Sequence, residues 1–216
     1  MKEHLKDIEK ILDVLNKTVD LSDAELDSDE FVSRVVKPFT SKYIGTFGWD
    51  SGASKGVLIF ENLGFVIKIP FTSSAEESFY GADCDQEWNY CQAEEDRYLD
   101  AIDEGVSDCF AETRYIGEID GYPIYAQKYA YIYSQNEEGS YSTKEQSEKV
   151  EELCNKNGYK CFNSYWLSDL FNYFGEQVFY KFLAFLNDYN IYDLHTGNYG
   201  YIGAKPVLVD YSSWNN

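Results

Sequence analysis

Across residues 42–71 the apolar spacing changes from a helical period to strand-like runs, and this change constrains the fold more than any other feature of the chain. Tyr43-Ile44-Gly45-Thr46-Phe47, Val57-Leu58-Ile59-Phe60 and Phe65-Val66-Ile67-Lys68-Ile69 read as three strands. Asn62-Leu63-Gly64 supplies a tight turn between the last two. Before them, Leu5, Ile8, Ile11, Leu12 and Leu15 recur at helical spacing and predict a helix over 3–17. A second helix is expected to start from an N-cap at Ser28, carry Asp29 and Glu30 in its first turn, run through Val36 and be ended by Pro38. Residues 85–104 return to helical spacing, with Trp88, Cys91, Tyr98 and Ile102 as the apolar set. Two more strands, 114–119 and 124–129, are joined by a turn at Asp120-Gly121. Helices over 143–156 and 166–188 follow, then a loop and one short apolar strand. Periodicity alone supports an α+β chain.

Charge narrows the partners. The 216 residues carry 38 acidic and 18 basic side chains, a net charge of −20, and 18% of them are aromatic. That composition supports a packed core. The negative field repels a phosphate backbone, so nucleic-acid binding is not expected, and anionic membrane surfaces are disfavoured for the same reason. A cationic acceptor or a basic protein would be attracted. No run approaches the ~18 apolar residues of a membrane helix, and the N-terminus lacks an apolar signal core, so a soluble, cytoplasmic protein is expected. The five cysteines, Cys84, Cys91, Cys109, Cys154 and Cys161, form no C-x-x-C pair and read as free, mostly buried thiols.

The chemistry-bearing residues fall late in the chain. Asp193-Leu194-His195-Thr196-Gly197-Asn198 places a carboxylate five residues before an amide, on a loop. Asp210 then ends the apolar run Val207-Leu208-Val209. Asn and Asp oxygens are hard ligands of the kind Mg²⁺ takes. Earlier, Lys68 lies within an apolar strand, on the face opposite Ile67 and Ile69, where an ammonium needs an anionic partner. Nucleotide phosphate or a carboxylate on the following helix would serve. Glu94 is the favoured carboxylate, with Glu95 and Glu87 as alternatives. Ser51-Gly52-Ala53-Ser54-Lys55-Gly56 lies between the first two strands, where small residues let backbone N–H groups approach phosphate and Lys55 adds charge.

In the order Lys68, Glu94, Asp193, Asn198, Asp210, the chain resembles the protein-kinase-like superfamily over roughly residues 40–214. The string D-L-H-x-G-N is similar to that of the aminoglycoside and choline phosphotransferases, and the form is that of a small bacterial or phage-type member. The resemblance implies a two-lobed fold: N-terminal helices over 1–41, an N-lobe over 42–130 with a five-stranded antiparallel sheet, and a short helical C-lobe over 131–216. It implies ATP and Mg²⁺ as cofactors, with Asn198 and Asp210 on the metal and Asp193 as base. Gly52, Ser54, Lys55 and Lys68 would meet the phosphates. Backbone groups of Lys128 and Ala130 would meet the adenine, with Gln127 at the back of the pocket. His195 reads as a loop-organising residue.

Two features depart from the family pattern. Ile191-Tyr192 precede Asp193 in place of His-Arg or His-Gly, and the glycines do not form G-x-G-x-x-G. The sequence also runs only six residues beyond Asp210, short of the usual acceptor-binding helices. The helices of 3–37 are candidates to stand in for these, and a basic partner is expected near Tyr211 to Asn216. The readings are therefore a phosphotransferase of unknown acceptor, a pseudokinase or acidic protein-interaction module acting by binding, or an acidic mimic of nucleic acid.

Overall fold

The computed structural model describes residues 1–22, 24–71, 89–132 and 140–212. The chain is α+β and divides into two compact units, Met1–Glu95 with Glu112–Tyr129, and Asp96–Ala111 with Ala130–Asn216.

In the first unit, a 3-10 turn leads into helix α1 (Leu5–Thr18). Its Ile8, Ile11 and Leu15 are buried, as their spacing requires. Helix α2 (28–40) begins one residue earlier than expected, because Asp27 and not Ser28 is the N-cap, its carboxylate accepting from the Glu30 N–H at 2.8 Å. It also passes through Pro38 instead of ending there. Phe31–Val36 winds as a π-helix, with the Lys37 N–H donating to the Val32 carbonyl, before Lys37–Thr40 completes the helix. Proline offers no N–H, and the widened turn before it relaxes the demand for a regular ladder at that point.

The five-stranded sheet has the order β1-β2-β3-β5-β4 and is antiparallel throughout. Its strands are β1 (Gly48–Ser51), β2 (Lys55–Phe60), β3 (Phe65–Pro70), β4 (Thr113–Ile119) and β5 (Tyr122–Lys128). The strand expected over Tyr43 to Phe47 is absent. Tyr43 and Phe47 are spaced by their packing round Phe39, with ring centroids 4.8 and 5.0 Å away, while Ile44 is fully exposed. The first strand is instead the largely exposed edge strand β1, which carries no alternating apolar signal. Helix α3 (Tyr90–Asp103) follows β3, its first residues belonging to the first unit and the rest, from Asp96, to the second. The expected helix residues 85–88, Trp88 among them, lie outside the described residues.

Helices α1 and α2 bury one face of the sheet. Phe31, Val35 and Phe39 join Leu58, Phe60, Phe65, Ile67, Ile69, Ile124 and Ala126 in one apolar core. These helices therefore pack within the first unit's own core.

The second unit contains the two-residue strand β6 (Tyr131–Ile132), helices α4 (Lys144–Asn157), α5 (Ser164–Phe174) and α6 (Glu176–Asp188), and strands β7 (Tyr199–Ile202) and β8 (Lys205–Leu208). A full capping box at Thr143 and Gln146 starts α4. The single helix expected over 166–188 is two helices. Gly175, at φ 81° and ψ 170°, lies in a region open essentially to glycine alone and breaks the ladder between α5 and α6. The single closing strand is also more than expected: β7 and β8 form a hairpin, and β6 pairs with β7 to make a three-stranded antiparallel sheet. Trp166, Phe179, Phe182 and Tyr199 are at the centre of this unit's core.

Phe39 holds the aromatic cluster of the first unit together. Phe39→Ala should lower the unfolding free energy by about 3–5 kcal/mol, read as a lower urea midpoint with an unchanged slope.

Candidate functional site

The sheet face opposite α1 and α2 carries the polar group of the first unit. Strand alternation puts Lys68 there, in register with Val57 on β2 and Tyr125 on β5. Glu94, in the first turns of α3, is fully buried against it. The Lys68 ammonium donates to Glu94 Oε2 at 2.6 Å, and the Lys55 ammonium, from the start of β2, donates to Oε1 at 2.5 Å. Gln127 Nε2 donates to Glu94 Oε2 at 3.3 Å and to Thr113 Oγ1 at 2.8 Å. All five side chains are buried. Of the candidate carboxylates, Glu94 is the one that meets Lys68. Glu95 accepts from the Tyr115 backbone N–H at 3.0 Å, and Glu87 lies outside the described residues.

Removing such charges from water costs several kcal/mol per ion, which a close, hydrogen-bonded geometry offsets only in part. The sequence reading missed the Lys55–Glu94 contact and the Thr113 and Gln127 bonds. Lys55 sits thirteen positions before Lys68, and only the β2–β3 register brings the two to one carboxylate.

The predicted phosphate loop is the turn of the β1–β2 hairpin. The Gly52 N–H donates to the Lys55 carbonyl at 3.0 Å, and the Ser54 carbonyl accepts from the Phe71 N–H at 2.8 Å. Gly56 is required by packing: a Cβ there would stand 2.3 Å from the Phe31 ring. The Gly52 N–H is thus engaged within the turn and is not directed at a ligand. Lys128 likewise has its partners in the chain. Its N–H donates to the Glu112 carbonyl at 3.1 Å, and its ammonium lies 3.3 Å from Glu3 and 3.5 Å from Glu112. Partial burial works against that charge, but the two carboxylates hold its pKa above the ordinary lysine value. Ala130 belongs to the second unit and is buried with Ala111, Val207 and Val209.

In the second unit, Asp193 to Asn198 link α6 to β7. Gly197 has φ 111°, a conformation that turns the chain into Asn198 and that a side chain would strain. Asn198 is buried and is tied at both ends. Its Nδ2 donates to the Asp193 carbonyl at 2.6 Å, and its own carbonyl accepts from the N–H groups of Val209 at 2.8 Å and Asp210 at 3.2 Å. The β7–β8 pairing of Tyr199 with Leu208 continues into this contact. Asn198 and Asp210 are therefore backbone neighbours, and Ser212 donates to Asp210 Oδ1 at 3.1 Å. Asp193 is exposed. His195 Nε2 lies 3.7 Å from Asp193 Oδ1, and His195 Nδ1 lies 2.8 Å from the Thr196 carbonyl, contacts that suit a loop-organising role.

Among the described residues, no group of three or more His, Cys, Asp and Glu side chains is placed to hold a metal. Asn198 and Asp210 offer one amide and one carboxylate, a set that fits a hard ion only if ligand or water oxygens complete its shell. The second unit also contains a buried carboxylate that no motif pointed to. Asp169 accepts from Ser140 and Ser142 hydroxyls at 2.9 and 2.5 Å and from the Tyr201 hydroxyl at 2.5 Å. These contacts anchor the 140–142 segment.

Comparison with protein-family models, with curated proteins and with solved structures returned no match. The Glu94 group can be tested by its own energetics. Glu94→Leu takes a shared carboxylate from two buried ammonium groups and should cost about 3–5 kcal/mol of stability. Adding Lys55→Met to that variant should recover part of the loss, because one buried charge goes with it. Denaturant unfolding of the two variants and of Lys55→Met alone measures both effects.

Proposed function

We propose that this chain is an ATP- and Mg²⁺-binding phosphotransferase with a two-lobed, protein-kinase-like fold, near the aminoglycoside and choline phosphotransferases. The observation that carries the reading is the buried Lys68–Glu94 pair, a strand lysine held at 2.6 Å by a helix carboxylate. A carboxylate partner fixes the ammonium in one position, which is what phosphate recognition by a single cation needs. The backbone tie between Asn198 and Asp210 supports the same reading, since it keeps an amide and a carboxylate together.

In this proposal Lys68 meets the α- and β-phosphates and Asn198 with Asp210 holds Mg²⁺, which would neutralise charge developing on the phosphoryl oxygens. Asp193 orients and deprotonates the acceptor hydroxyl, and its exposure gives an acceptor access. With a net charge of −20, the acceptor or a partner that completes the site is cationic or basic. The setting is cytoplasmic, in keeping with free thiols at Cys109, Cys154 and Cys161. No helix among the described residues is long and apolar enough to cross a membrane.

A second reading, binding without transfer, is favoured by the β1–β2 turn. The Gly52 N–H is engaged within that turn, so it does not serve a phosphate in this arrangement.

Titration calorimetry with ATP, with and without Mg²⁺, distinguishes these readings from the nucleic-acid mimic. Asp210→Ala should lose Mg²⁺-dependent affinity by about tenfold or more, ~1.4 kcal/mol, while keeping its far-ultraviolet dichroism. Unchanged ATP binding in that variant would make Asp210 structural only. If turnover of a cationic acceptor is found, Asp193→Asn should abolish it with ATP affinity retained. Mg·ATP binding without turnover of any acceptor would leave the binding module.

A further inference from the structure

The two edges of the five-stranded sheet are built differently. At one edge, β4 is interrupted by a register shift between Tyr115 and Gly117, and the Tyr115 N–H is taken by Glu95. Bulges and occupied N–H groups of this kind close an edge to further pairing. At the other edge, β1 keeps a regular register with β2 from Gly48 to Ser51. It has no lysine and no proline, the residues that commonly protect an edge, and its one charge is Asp50.

The hydrogen-bond alternation shows what β1 leaves open. The Gly52 N–H donates to the Lys55 carbonyl, so the bonded pairs that follow are Asp50 with Val57 and Gly48 with Ile59. Trp49 and Ser51 therefore turn their main-chain groups away from β2. The Ser51 N–H is met by Asp50 Oδ1 at 2.8 Å. The Trp49 N–H and carbonyl have no hydrogen-bond partner among the described residues.

The side chains alternate as well. Trp49 lies opposite Leu58, on the face that α1 and α2 cover, yet it is 47% exposed because β1 is the outermost strand. Asp50 lies opposite Val57, on the face of Lys68. The Ser28 and Ser51 hydroxyls meet at 2.6 Å, which brings the start of α2 beside β1 on the Trp49 face. The cap Asp27 and the first-turn Asp29 are both exposed there. Both faces of the edge thus carry carboxylates.

We propose that β1 is a docking edge for an extended, basic segment of another protein, which joins the sheet as an added outer strand. Main-chain bonds to Trp49 provide the pairing. Arginine or lysine side chains of the segment meet Asp50 on one face and the carboxylates of α2 on the other, and a guanidinium can also lie over the Trp49 ring. A second copy of the chain fits this edge less well. Each copy carries a net charge of −20, and pairing two β1 strands brings like carboxylates together. The surface lies within the first unit and does not depend on the phosphotransferase reading.

The test uses the full chain and an end-blocked peptide of about seven residues that alternates arginine and valine, long enough for one ordinary strand. A control peptide keeps every arginine and has proline in place of valine, so its charge is equal but it cannot pair as a strand. Amide exchange is followed by nuclear magnetic resonance. The alternating peptide should slow exchange of the Trp49 amide about tenfold or more, and the proline peptide should not. Trp49→Ala, checked by circular dichroism, should weaken the alternating peptide about tenfold in fluorescence anisotropy. Asp50→Asn, whose amide oxygen can keep the Ser51 bond, should weaken it too. No binding of the alternating peptide, equal binding of the proline peptide, protection confined to other amides, or undiminished affinity in Trp49→Ala would each overturn the proposal. Trp49 protection that rises with protein concentration in the absence of peptide would overturn it in favour of a second copy.

Discussion

The carboxylate of Glu94 is the point on which the first unit's polar architecture depends. It draws side chains from β2, β3, β4 and β5 to one buried position. None of these side chains is stable there alone, because a buried ammonium or amide without a partner costs more than a typical hydrogen bond returns. The sheet must hold its register for them to meet. A slip of one residue in β3 would turn Lys68 into the apolar core of α1 and α2, and Ile67 and Ile69 toward Glu94. The ionic group and the opposite, aromatic face therefore specify the same register from two sides of one strand.

This arrangement shows how much could be read from the chain. Lys68 was legible because an ammonium inside an apolar strand has few acceptable environments, and Glu94 because the helix after that strand brings carboxylates to the same face. Lys55 was not legible as a partner, since its contact depends on which residues pair across the β2–β3 hairpin. Gln127, expected at the back of a pocket, is bonded to Glu94 and Thr113, partners that spacing alone does not reveal. Four strands were found to within two residues, because each carries an apolar run bounded by turn residues. The exposed edge strand β1 was placed wrongly, since the aromatic residues just before it pack round Phe39 as a loop.

Helix boundaries failed for backbone reasons. Pro38 is a strong stop signal, yet a π turn upstream lets the helix continue past it. Gly175 is an ordinary glycine by sequence, and only its φ and ψ show that it separates α5 from α6. In the second unit, Asp193, Asn198 and Asp210 were grouped by their resemblance to the protein-kinase-like pattern. The means by which Asn198 and Asp210 are joined was hidden, because it is a pair of main-chain hydrogen bonds that every residue type can make.

That last point bears on what positions Asn198 and Asp210 in the second unit. The Asn198 carbonyl receives Val209 and Asp210 as an extension of the β7–β8 hairpin, and the Asn198 amide is set by the Asp193 main chain. The main-chain positions of both proposed metal ligands thus follow from a hairpin register and a glycine turn. Tyr199 anchors that hairpin by its hydroxyl to Asn163 and by its ring to Trp166, 5.1 Å between centroids. Loss of that anchoring would loosen Asn198 without removing any ligand atom. The density of aromatic residues in this core follows from the same requirement: a short hairpin with few main-chain bonds of its own is held in place by the large buried area that Trp, Tyr and Phe rings supply.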